Sequence, residues 1–165
     1  MTSQRPGNRT QAATERLRSV LREQLSGADD AGIERAVSLC GLVASLARID
    51  RNYADAERPH VRRAIALIPQ LPEAGVEPVC SVLEAEMSAL AMLDLRPYAQ
   101  ALQTHSELPL RRQLLDVLAD LAAADDAFTL LESDSLRRAA AALGLTPEEF
   151  QAAEARHQSK RRRLS

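Results

Sequence analysis

Two stretches of the sequence hold carboxylates at a spacing that could do chemistry. The first is Asp50-Arg51-Asn52-Tyr53-Ala54-Asp55-Ala56-Glu57, and the second is Asp125-Asp126 followed by Glu132. In each, a glutamate follows an aspartate by seven residues, and the acidic residues interrupt apolar helical patterning, so both stretches fall at helix-to-helix turns. Carboxylate and amide oxygens gathered in a turn suit a hard cation such as Ca²⁺ or Mg²⁺. Neither turn is an EF-hand: the DxNxxD start at Asp50 lacks that loop's glycine and its distant bidentate glutamate.

The same residues have a purely structural use. Thr129 and Glu132 stand at capping-box spacing, and Asp55 can cap the helix after it. The arginine pairs Arg62-Arg63 and Arg137-Arg138 can neutralise Asp50 and Asp125 without a metal. Some compensation is required, because each aspartate ends a helix. There the macrodipole is negative, and a carboxylate costs a few tenths to about 1 kcal/mol. Cation binding, and capping with arginine pairing, both satisfy that requirement.

The elements that must position these turns are helices throughout. Leu17, Val20, Leu21 and Leu25 recur at three-to-four spacing and predict a first helix over about Gln11 to Leu25. A second, from about Asp30 to Ile49, is apolar nearly all round and reads as central, with Gly41 suited to a close helix crossing. A third runs from about Asp55 to Ile68, before Pro69 and Pro72. The fourth spans about Val76 to Leu93 with Pro78 in its first turn, and the fifth is short, Arg96 to Thr104. The sixth covers about Leu108 to Ala124. The seventh follows Thr129 and stops at Gly144, and Thr146-Pro147-Glu148-Glu149 opens the eighth with a capping box.

The chain also repeats itself. A shift of 75 places lays Asp50 on Asp125, Glu57 on Glu132, Arg62-Arg63-Ala64 on Arg137-Arg138-Ala139, and Pro72-Glu73 on Pro147-Glu148. Tyr53 falls on Phe128, which is informative because Tyr98 and Phe150 are the only other aromatics. The expected fold is all-α: about eight helices in one compact domain, built from two pseudo-twofold-related repeats over about 32–75 and 107–150. The first and fifth helices fall outside the repeat as decoration.

The sequence of helix, alanine-rich end, aspartate, apolar residue three places on, glutamate, helix and proline-led helix resembles the tellurite-resistance TerB-like family. That family includes domains of DnaJ-like co-chaperones. The resemblance covers roughly Gly32 to His157 and both copies. It implies a non-enzymatic scaffold or sensor in stress response, with divalent metal at the acidic turns. By position, the metal ligands would be Asp50 and Glu57 in the first copy and Asp125 and Glu132 in the second. The family usually places glycine after the aspartate, where this chain has Arg51 and Asp126. Arg51 sets a positive charge beside the first turn, whereas Asp126 adds a ligand to the second. The second turn is therefore the expected cation site.

Composition bounds the remainder. At 165 residues, with 45% hydrophobic residues and no Trp, the core must be filled by Ala, Leu, Val and Ile, which favours packed helices over a β-sandwich. The formal charge of −2 gives no global field to attract nucleic acid or anionic lipid. Cys40 and Cys80 read as reduced core thiols, and His60, His105 and His157 as surface residues. No GxSxG, Walker loop, GxGxxG or HExxH occurs, so an enzyme is not expected.

The longest uncharged run, Ala36 to Ala47, is too short to span a bilayer, and the polar N-terminus carries no signal-peptide pattern. A cytoplasmic protein is expected, with peripheral visits to the inner face of the membrane compatible with its surface. Residues 1–10 are expected to be disordered, 11–158 to form the TerB-like domain and 159–165 a basic tail. The tail residues Lys160, Arg161, Arg162 and Arg163 offer the alternative role, an adaptor that binds a partner protein, nucleic acid or anionic membrane.

Overall fold

The computed structural model describes the backbone of residues 6–47, 58–90, 95–122 and 130–164, and the side chains of 9–47, 58–90, 96–121, 134 and 136–156. The described residues form eight helices and no strand. These are α1 (Pro6–Gln24), α2 (Asp30–Ala47), α3 (Arg58–Ala66), α4 (Glu73–Leu90), α5 (Leu95–His105), α6 (Leu108–Ala122), α7 (Leu130–Ala142) and α8 (Pro147–Leu164).

α2 is the central element, as its apolar composition predicts. Leu39, Leu42, Val43 and Ala44 lie on different sides of it and all are fully buried. Asp29 caps its start, its Oδ1 accepting the Gly32 N–H at 2.8 Å. α6 is the other core helix, burying Leu114, Leu115 and Leu118. α2, α3 and α4 pack on one another, as do α6, α7 and α8, and the two triplets meet through α2 and α3 against α6. That meeting is uneven: α3 packs on α6 more extensively than α7 packs on α2.

Two expectations change. α5 is not decoration: it makes the broadest helix contact in the fold, against α2, because Gly41 removes the side chain that would hold the two apart. α1 likewise covers α4 and α2 with Leu17 and Leu21, both fully buried. At the ends, residues 6–10 open α1 from Pro6, a residue pre-set for a first helical position. Lys160 to Arg163 continue α8, which meets no helix breaker after Pro147 and is rich in Ala, Gln, Arg and Lys.

α4 begins three residues earlier than the periodicity suggests, directly after Pro72, so Pro78 lies inside the helix. At the end of α7, Gly144 takes φ +77° and closes a Schellman motif. In it the Leu145 N–H donates to the Ala140 carbonyl and the Gly144 N–H to that of Ala141, each at 3.0 Å. The capping box at α8 forms as its sequence predicts. The Thr146 N–H donates to Glu149 Oε2 at 2.8 Å, and the Glu149 N–H to Thr146 Oγ1 at 3.1 Å.

Candidate functional site

The helix ends that carry the two acidic turns are placed. α2 ends at Ala47 and α3 opens at Arg58, while α6 ends at Ala122 and α7 opens at Leu130. Asp50, Glu57, Asp125 and Asp126 lie outside the described residues. Glu132 is in the first turn of α7 by its backbone, and its side chain is likewise outside them. Among the described residues, no three His, Cys, Asp or Glu side chains are grouped to hold a metal ion.

The repeated arginines have different partners in the two copies. Arg62 pairs with Glu77 of α4, both exposed. Arg63 reaches across the triplets to α6, its Nη1 donating to Asp120 Oδ2 at 3.2 Å. In the second copy, Arg138 pairs with Asp134 at 2.9 Å within α7, and Arg137 lies over the Phe150 ring, 5.6 Å from its centroid.

Asp120 is the buried carboxylate that sequence reading missed. It is 8% exposed, two residues before the end of α6, within a run of Leu, Val and Ala whose apolar face it interrupts. That interruption was the available signal, since a buried charge requires a partner. Its partner, Arg63, is 57 residues away in sequence and cannot be found from spacing.

Asp120 and Arg63 line a cleft of about 430 Å³ between α3, α6 and α8. It also holds a second pair, Arg156 Nη2 donating to Asp116 Oδ1 at 2.7 Å. Leu67 and Val117 give it an apolar surface, and the described residues that line it include no hydroxyl, thiol, amine or imidazole. Such a surface can bind and orient, and its only ionisable groups among the described residues are two arginines and the Asp116 and Asp120 carboxylates.

The remaining reactive side chains are set apart from this cleft. Cys40 on α2 and Cys80 on α4 are free and buried. Burial raises the Cys40 thiol far above its ordinary range and pushes Cys80 up to about 11. His105 is exposed at the end of α5, where its carbonyl accepts from Arg35 Nη1 at 3.0 Å. His60 on α3 is half-buried instead of lying on the surface, and the His157 side chain is outside the described residues.

The described residues define a small all-helical domain. Residues 36–155 match the family described as tellurite resistance protein TerB. That match covers well over half of the chain and spans both acidic turns, so the chain belongs to the TerB family. No curated protein and no solved structure shows significant similarity to it. Among the described residues, no helix is long and apolar enough to cross a membrane.

Proposed function

We propose that this TerB-family chain is a non-enzymatic scaffold or sensor in stress response, acting on the cytoplasmic side, and that its second acidic turn binds a divalent cation such as Ca²⁺ or Mg²⁺. The ligands are Asp125, Asp126 and Glu132. The observation that carries this reading is the family match across both turns. α6, like α2, has no basic residue in its last turn, so a negative helix pole adds to the pull on a cation after either helix. One fact favours the second turn. The first turn carries Arg51 next to Asp50, where a cation would be repelled.

Protein partners suit the same reading, since a scaffold acts through what it holds. A non-enzymatic role is supported by the lack of any catalytic motif in the sequence. The test is a thermal melt of metal-free protein against added Ca²⁺, Mg²⁺, Mn²⁺ and Zn²⁺. A ligand bound only by the folded state raises the melting temperature. A rise with Ca²⁺ or Mg²⁺ that is lost in Asp125→Asn and Glu132→Gln supports the proposal. A wild type that no cation stabilises would rule it out.

A further inference from the structure

We propose that α8 is a releasable strap: it opens as one unit while the rest of the fold stays closed, and its release removes one wall of the cleft between α3, α6 and α8.

What holds α8 in place carries the proposal. Of its residues 147–156, whose side chains are described, only Phe150 and Ala153 are buried, at 4% and 2% exposure. After Phe150 the sequence has no large apolar residue before Leu164. α2, by contrast, is buried on all sides. A helix with so little apolar surface in the core stands at the low end of local stability. Its start does not depend on the core. The capping box joins Thr146 to Glu149 within the first turn of α8 itself, so the helix keeps that cap when it leaves.

Two ion pairs to α6 supply the rest of the hold. Arg112 Nε donates to Glu149 Oε1 at 2.8 Å, and Arg156 Nη2 donates to Asp116 Oδ1 at 2.7 Å. Both helices advance in chain order from the first pair to the second, so they run the same way. Arg112 and Arg156 are 55% and 57% exposed, which leaves both pairs open to screening by salt. The strap is therefore latched by charge over a small apolar anchor. Its release alters the cleft directly, because Ala153 and Arg156 are the residues that α8 contributes to the lining. Without them Asp116, Val117 and Asp120 stand on an open face of α6, with Arg63 still paired to Asp120. A partner then meets a wider and more charged surface than the closed fold presents.

The test is amide hydrogen exchange read by mass spectrometry on the full chain, wild type and R112Q/R156Q, in low and high sodium chloride. The amides of α8 from Phe150 onward are expected to exchange at least tenfold faster than those of α2, and at one common rate. High salt or the double substitution should speed α8 several-fold further and leave α2 unchanged. A second reading places a thiol on the cleft wall with Ala153→Cys. Iodoacetamide should label it in the folded protein, several-fold faster once R112Q/R156Q is added. Exchange of α8 at the rate of α2 would overturn the proposal, since α8 would then open only with the whole fold. A gradient that rises toward Leu164 while the Phe150 turn stays as slow as α2 would overturn it too, by showing a frayed end in place of a strap. So would exchange and labelling that neither salt nor the double substitution changes, because the ion pairs would then not be the latch.

Discussion

The ring of Tyr98 on α5 fills the space that a side chain at Gly41 on α2 would need: a Cβ built there would stand 2.6 Å from Tyr98 Cζ. The two helices therefore approach as closely as they do because one residue has no side chain. Gly41→Ala should gain about 0.5–1 kcal/mol of helix propensity but lose about 1–3 kcal/mol to overpacking. A net destabilisation of about 1–2 kcal/mol is expected by denaturant unfolding, and it should nearly vanish in a Tyr98→Ala background. A Gly41→Ala protein as stable as wild type would mean that α5 can shift away freely.

Tyr98 itself gives a second prediction. Its hydroxyl is buried without a hydrogen-bond partner among the described residues, so Tyr98→Phe should be neutral or stabilising by up to about 1 kcal/mol. Burial raises the Tyr98 phenol above its ordinary 10.0. The unfolded chain then loses this proton at a lower pH than the folded one, so the stability held below pH 10 falls as pH rises through the folded value. Urea midpoints measured across that range should fall less steeply in Tyr98→Phe than in wild type.

The neighbouring arginines of α3 should differ. Arg63 is paired with a carboxylate whose side chain is only 10% exposed, whereas the Glu77 partner of Arg62 is 63% exposed. Arg62→Ala is expected to cost under about 0.5 kcal/mol, as surface pairs do. Arg63→Ala should cost about 1–2 kcal/mol, because it removes a cation from a nearly buried charge. Equal costs in urea titrations would show that Asp120 does not depend on Arg63.

The thiols should be inert in the folded protein. With Cys40 fully buried and the Cys80 thiol pushed up to about 11, little thiolate exists near neutral pH. Iodoacetamide followed by mass spectrometry should find almost no alkylation at pH 8 without denaturant, Cys80 reacting before Cys40, and two adducts in urea. Rapid native labelling of Cys40 would contradict the burial of α2.

Much of the fold was legible because local chemistry fixed it. Gly144 and the Thr146-Pro147-Glu148-Glu149 cap gave the end of α7 and the start of α8 to within a residue or two, and unbroken apolarity marked α2 as central. The importance of α5 was not legible: its apolar residues show that it packs, but not that Tyr98 packs on Gly41, 57 residues earlier in the chain. The same distance hid the Arg63–Asp120 pair, so the candidate cleft of α3, α6 and α8 could not be assembled from spacing. The carboxylates of the acidic stretches, by contrast, are local in sequence, so their spacing alone proposes them as a set.

The central claim, a cation at the second acidic turn, is tested most directly by calorimetric titration of Ca²⁺ and Mg²⁺ into metal-free protein. Wild type should be compared with Asp125→Asn/Glu132→Gln and with Asp50→Asn/Glu57→Gln. Saturable binding of one ion, lost in the second-turn variant and kept in the first-turn variant, is the predicted result. No binding by wild type, or equal binding by all three proteins, would contradict the account.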